Sequence, residues 1–321
     1  MTRCSICSAA HECPLKQFRR PAATIQPRGL HGILNVNKPA GLSSHRVVHT
    51  IRQAGNLARV GHAGTLDPMA TGVLLICIGQ AVRVSEYLID HDKKYRARVR
   101  LGIATDTYDA TGTIVAQREV NVTREQVLTT LQSFVGKLAQ LPPAYSAIKK
   151  DGVPHYKLAR RGVLVETQPR DVEIYSIAVR EIALPDIEFE VHCSKGTYIR
   201  SLAHDLGEKL GCGGHLTALT RLAVGNFSLD DALPLDQVCH ALADDSIERH
   251  LIPMDEALLE FEAIVVDPPT AKQIQNGIPL NCERTFDSAL LRAYSTNGEF
   301  IALMERGKEP GTWKPKKVFQ F

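Results

Sequence analysis

The stretch that most restricts what this chain can fold into is "GVLLICIG" at residues 72–79, six consecutive apolar side chains between two glycines. Successive strand residues point to opposite faces, so an unbroken run of this length reads as a strand buried on both sides. Such a strand needs one packed layer above it and another below. Directly before it stands "RVGHAGTLDPMAT", a loop of small residues carrying one carboxylate, Asp67. Loop aspartates commonly hydrogen-bond nearby backbone N–H groups. On local sequence alone, Asp67 is either such a turn former or a chemical group on display.

With 321 residues the chain has room for a large core and for roughly two domains of ~100–200 residues. Charged and hydrophobic fractions of 23% and 44% are those of an ordinary globular protein. A net charge of only +3 excludes a general polyanion-binding surface, so any basic surface must be local. No apolar run approaches ~18 residues, and the N-terminus lacks the apolar core of a signal peptide. We therefore expect a cytoplasmic protein without membrane association. Five of the eight cysteines, Cys77, Cys193, Cys212, Cys239 and Cys282, are scattered singly and read as reduced small hydrophobes. Cys4, Cys7, His11 and Cys13 put four metal-capable groups into ten residues. The usual second ligand pair a dozen or more residues on is missing, which makes this a weak metal candidate inside an unstructured extension.

Residues 1–29 carry five basic side chains against one acidic, with three prolines, and are expected to form a basic, poorly ordered arm. The globular part begins with a strand at 32–36, the turn "NKPAG", and a helix capped by Ser43 or Ser44 with Val47, Val48 and Ile51 inward. His45 and His49 stand four apart on that helix, but no zinc-protease glutamate follows, so a surface or packing role is expected. "AVRVSEYLI" at 81–89 reads as a helix. The next segment, from Lys94 to Leu101, alternates Tyr95, Ala97, Val99 and Leu101 on one face with Lys94, Arg96, Arg98 and Arg100 on the other. The row reads as a solvated face or, since four like charges along one strand face repel, as one that a nearby polyanion makes tolerable.

Thr123 and Gln126 mark a capping box before a helix. "LPPAYSAIKKDGVPHYKLARRGV" then interleaves Tyr145 and Tyr156 with Lys149, Lys150, His155, Lys157, Arg160 and Arg161. That mixture suits phosphate contacts and base stacking. A strand at 186–193 leads through a Lys-Gly turn into a helix that buries Ile199, Leu202, Leu206 and Leu210. Arg200 in its first turn opposes the helix dipole and needs a carboxylate partner. "TALTRLAVGNFS" reads as a strand returning to the core, and from about residue 251 short β-like pieces with turns suggest a small β-rich domain. The expected class is α+β, a mixed or antiparallel sheet flanked by helices.

Few residues offer chemistry. Asp106 and Asp109 in "TDTYDATG" resemble a glycosidase pair but fit a Gly/Asp turn equally well. There is no phosphate-binding P-loop and no "GxSxG" elbow. One presented carboxylate, an arginine partner, aromatics and local basic surface remain. This set suits covalent or general-base chemistry on an RNA base or sugar without metal or cofactor.

"NKPAGLSSH", "VGHAGTLDPMATGVL", "KYRARVRLGIATDTYDATG", "LPPAYSAIKKDGVPHY", "HCSKGTYIRSLAHDLGEKLG" and "RLAVGNFS" occur in order over residues 32–228. Together they resemble the TruB family of tRNA pseudouridine synthases. The resemblance implies isomerisation of a T-loop uridine, position 55, in tRNA, by a monomer needing no cofactor. It implies that Asp67 is the catalytic carboxylate, that Tyr95 stacks on the target base, and that Arg200 pairs with Asp67 and holds it ionised. His62 is implied to contact RNA near the vacated base, Leu222 to pack on the uracil, and Lys38 to lie near the site. Tyr198, Tyr145, Lys149, Lys150, Arg96 and Arg98 complete the implied RNA-binding set. The implied organisation is an arm (1–29), a catalytic domain (30–250) with an RNA-binding insertion at about 140–165, and a PUA-like RNA-binding domain (251–321) reaching the acceptor end. A dyskerin-type, guide-RNA-dependent relative and a non-catalytic tRNA-binding or folding module are the alternatives.

Overall fold

A computed structural model describes residues 29–145, 168–282 and 284–320, together with the backbone of 149–150 and 153–154. Ten strands form the central sheet: β1 (Gly32–Lys38), β2 (Val60–Ala63), β3 (Thr71–Ile78), β4 (Lys93–Leu101), β5 (Gly136–Gln140), β6 (Arg170–Ala183), β7 (Asp186–Cys193), β8 (Gly214–Val224), β9 (Phe227–Ser228) and β10 (Leu233–Pro234). Their order is β10-β1-β3-β8-β4-β7-β6-β5, with β2 paired to β3 and β9 to β8. The β1/β10 and β3/β8 pairs are parallel and the others antiparallel, so the sheet is mixed. Among the described residues the helices are α1 (Ser44–Gly55), α2 (Ser85–Asp90), α3 (Arg124–Gln132), α4 (Ile199–Lys209), α5 (Leu235–Ala243) and α6 (Pro268–Gln275).

β3 is the run of six apolar residues, and both of its faces are buried. Leu74, Ile76 and Ile78 pack with Val47 and Ile51 of α1, Leu202 of α4 and Val238 of α5. Val73, Leu75 and Cys77 pack on the other side with Leu88, Met254, Leu258, Leu303 and Phe319. The second layer is therefore supplied partly by the C-terminal segment. That segment builds a separate five-stranded sheet from Glu262–Val266, Leu280–Asn281, Leu290–Ser295, Phe300–Arg306 and Thr312–Val318. Burying an aliphatic side chain is worth ~1.5–3 kcal/mol, so β3 is a rigid post for whatever the preceding loop carries.

Local signals decide the helix ends. The Ser43 hydroxyl accepts from Arg46 N at 3.2 Å at the start of α1, and Asn56 ends that helix in the left-handed region. Thr123 and Gln126 form the reciprocal capping box of α3. The helix expected at 81–89 begins only at Ser85. Gly79–Val84 forms a 3₁₀ turn, and the Ser85 hydroxyl donates to Val82 O, competing with helical pairing there.

The cationic row of β4 requires a correction. Arg96, Arg98 and Arg100 each pair across the ladder with a carboxylate of β7: Glu190 at 2.9 Å, Glu188 at 3.0 Å and Asp186 at 2.6 Å. Their register partners are those same acidic residues. The repulsion is neutralised within the sheet, on the face opposite Tyr95, and an external polyanion is not needed to explain it. Among the described residues, no helix is long and apolar enough to cross a membrane. Cys4, Cys7, His11, Cys13 and the basic arm lie outside the described residues.

Candidate active site

The loop between β2 and β3 presents Asp67, and other elements hold it from three sides. Ser44 Oγ, at the start of α1, donates to Leu66 O at 3.0 Å and accepts from Leu66 N at 2.8 Å. The fully buried Lys38 ammonium donates to Pro39 O, Leu42 O and Pro68 O at 2.8, 2.6 and 3.3 Å. Arg221 of β8 donates to Val73 O at 2.7 Å and to Gly64 O at 3.2 Å. Gly72, the second residue of β3, has φ +98°, and a Cβ there would lie 2.2 Å from Arg221 O. Only glycine allows the loop to enter the sheet beside β8.

The Asp67 carboxylate turns toward Arg200 across the cavity. Arg200 Nη2 donates to Asp67 Oδ1 at 3.2 Å, and Nε lies 2.9 Å from Oδ2, off the hydrogen-bond axis. This disposition separates a displayed carboxylate from a turn former. Arg200 is only 5% exposed and also donates to Thr107 O at 3.2 Å and Tyr145 O at 2.9 Å, with Asp109 Oδ2 3.6 Å from Nη1. Two carboxylates thus compensate a cation placed against its helix dipole. Burial pushes the Asp67 carboxyl above the usual carboxylate range; Arg200 pulls it down and Asp109 adds to the rise. Burial and the Asp109 charge thus act against the ionised form that Arg200 favours.

A cavity of about 290 Å³ opens over the carboxylate. Tyr95 of β4, Leu219 and Arg221 of β8, Lys93, and Tyr198 at the start of α4 are among its walls. Burial raises the Tyr95 phenol, with the nearby Arg221 charge opposing. Tyr198 is fixed through its backbone by the buried Gln140 amide, which accepts from Tyr198 N at 2.7 Å and donates to Tyr198 O at 3.0 Å.

Several expected residues sit elsewhere. His62 on β2 is outside the cavity wall; burial, then the Arg221 and His45 charges, push it below its ordinary value. Leu222 is the extra residue at a register shift of β8, and Leu219 takes the apolar wall position instead. Lys38 secures the loop from behind, and burial pushes it down to about 8. Tyr145 contributes its carbonyl to Arg200. Lys149 and Lys150 form a two-residue strand against Val153–Pro154, their side chains lying outside the described residues. Asp106 and Asp109 diverge. Asp106 accepts from Thr113 N, whereas the buried Asp109 accepts from Thr107 and Thr111 and faces Arg200. Sequence reading missed Asp109 as an Arg200 partner, and missed Lys93, Gln140 and Arg221. A usable signal existed for Lys93, which is in phase with Tyr95 and Ala97 on the inward face.

Known proteins resemble this chain over most of its length. Residues 52–199 match the model described as "TruB family pseudouridylate synthase (N terminal domain)", and residues 200–259 match "tRNA pseudouridylate synthase B C-terminal domain". A "tRNA pseudouridine synthase B" of Clostridium kluyveri is 42% identical over 85% of this chain and 95% of its own. One of Alkaliphilus oremlandii is 47% identical over 77% and 82%. A solved Cbf5–Nop10–Gar1 complex shares the fold at TM-score 0.68 and 25% identity, covering 90% of this chain and 85% of that one. With a carboxylate–arginine pair at the floor of a cavity walled by a tyrosine and a leucine, and with two family domains matched end to end, the chain belongs to the TruB family of pseudouridylate synthases.

Proposed function

We propose that this protein is a tRNA pseudouridine synthase that isomerises the T-loop uridine at position 55. The observation that carries the reading is the Asp67–Arg200 pair beneath a cavity walled by Tyr95 and Leu219. A cavity of about 290 Å³ accommodates one planar base but not a duplex, so the target nucleotide leaves its stack, which costs a few kcal/mol. Tyr95 and Leu219 sandwich the base, Arg200 aims Asp67, and the carboxylate acts on the nucleoside while the N-glycosidic bond breaks and the C5 glycoside replaces it. The C-terminal five-stranded sheet takes the PUA-like role at the tRNA acceptor end, and residues 140–165 serve as an RNA-binding insertion. No cofactor enters the reaction, and a monomer carries it out in the cytoplasm.

The guide-RNA-dependent alternative is weaker, because the relatives named above, matched over most of this chain, are tRNA pseudouridine synthases by name. Incubating unmodified tRNA transcripts with the protein alone and mapping pseudouridine chemically tests the reading. Conversion at the T-loop uridine is the expected result. Conversion elsewhere, or a requirement for added guide RNA, contradicts it.

A further inference from the structure

Two buried cations in the cavity wall have no part in the scheme above. Lys93 and Arg221 are 7% and 1% exposed. Lys93 precedes Tyr95 by two residues on the same face of β4, and Arg221 is the register partner of Tyr95 on β8. The tyrosine is therefore flanked by two positive charges. Their hydrogen bonds end on neutral groups: Ile89 O and His91 O for Lys93, and Val73 O, Thr65 O, Gly64 O and the Tyr95 phenol for Arg221. Neither has a carboxylate within ion-pairing distance among the described residues. Among the described residues, Asp90 and Asp92 act on Lys93 at longer range, and Cys193 faces it from β7.

Burial without a counter-ion is expensive, and a second buried like charge makes it more so. The strain is visible at Lys93, where burial and then the Arg221 charge push the ammonium down to about 8. Backbone carbonyls alone do not explain the choice of charged donors, since neutral donors would satisfy them at lower cost. A site that keeps two cations without counter-ions beside a base-sized cavity is built for a transient anion.

The proposed reaction generates one. If Asp67 bonds to C1′, or takes the C2′ proton, the C1′–N1 electron pair leaves with the ring and Asp67 loses its charge as an ester or an acid. If Asp67 instead adds to C6, the ring becomes an enolate. By every route a unit of negative charge passes from Asp67 to the pyrimidine, while Arg200 keeps Asp109 as a partner. Resting on the pseudouridine-synthase reading, we infer that Lys93 and Arg221 form the electrostatic wall that receives this charge and stabilises the anionic pyrimidine beside Tyr95.

Lys93→Gln separates this role from simple loop support, because the amide still carries two N–H donors for Ile89 O and His91 O but no charge. Single-turnover conversion of a tRNA transcript and its Kd by filter binding are measured for wild type, Lys93→Gln and Lys93→Arg, with thermal unfolding as the folding control. Loss of one charge-stabilising donor corresponds to about a 10²-fold drop in rate. We expect that drop in Lys93→Gln, a Kd within about threefold of wild type, and recovery to within about tenfold of wild type in Lys93→Arg. A folded Lys93→Gln with wild-type rate overturns the inference. So does a rate loss in Lys93→Arg equal to that of Lys93→Gln, which identifies a loop staple. If Lys93→Gln does not fold, the Lys93→Arg rate decides alone. Absence of conversion by the wild-type protein refutes the underlying activity instead, and is read from that arm by itself.

Discussion

Replacing Arg200 with lysine keeps the charge and removes the fork, so it isolates geometry. The guanidinium now reaches both Asp67 oxygens and the carbonyls of Thr107 and Tyr145. An ammonium on a shorter stem cannot span these partners. The two carbonyls each lose a charged donor worth ~1.5 kcal/mol at the low end, which gives a stability loss of about 3 kcal/mol. Asp67 keeps an attractive neighbour but loses its fixed orientation. A misplacement of about 1 Å corresponds to roughly 10²-fold in rate, or about 2.7 kcal/mol in the barrier. Because Arg200 is 5% exposed, tRNA affinity should remain within about threefold of wild type. Single-turnover pseudouridine formation, filter binding and denaturant unfolding measure the three quantities. A wild-type rate in Arg200→Lys, or a stability loss under about 1 kcal/mol, would refute the reasoning.

Gly72→Ala forces a Cβ toward a backbone oxygen now 2.2 Å from that point, at φ +98°. Left-handed strain of ~1–2 kcal/mol plus overpacking of ~1–3 kcal/mol should appear as a clear drop in Tm, and an unchanged Tm contradicts the stated packing. The raised Asp67 pKa places the acid limb of the pH–rate profile above the ordinary carboxylate value of 3.8, because the reaction needs the ionised form. The stability linkage has the opposite sense: the folded state binds the extra proton, so stability falls as pH rises from 3.8 through the raised value. A limb at or below 3.8 overturns the burial argument. Arg96→Ala and Arg98→Ala remove pairs whose arginine side chains are 50% and 52% exposed, so each should cost under about 1 kcal/mol and leave the salt dependence of tRNA binding unchanged. A shallower slope restores these residues as phosphate contacts.

How far the molecule could be read from its sequence differs from residue to residue. The double burial of β3 was plain from six adjacent apolar residues, since no half-exposed strand tolerates such a run. What covers its second face was not, because Leu303 and Phe319 come from more than 200 residues away. Alternation placed Arg96 and Arg98 on the correct outward face, but periodicity is blind to the neighbouring strand, and their partners Glu190 and Glu188 lie about ninety residues on. Leu222 was assigned to the uracil by resemblance alone, whereas Leu219, two residues before Arg221 on the same strand face, lines the cavity and Leu222 falls at the register shift between Arg221 and Ala223. The ambiguity of Asp109 had a similar origin. One oxygen serves its own turn through Thr111, as local sequence implies, while the other faces Arg200.

The central claim is that Asp67, aimed by Arg200, performs the chemistry inside the cavity. The most direct test is chemical mapping of pseudouridine in unmodified tRNA incubated with wild type and with Asp67→Asn, an isosteric change that leaves one oxygen to face Arg200. Conversion of the T-loop uridine by wild type, and none above background in a folded Asp67→Asn that still binds tRNA, is the predicted result. Conversion by Asp67→Asn at the wild-type rate contradicts it.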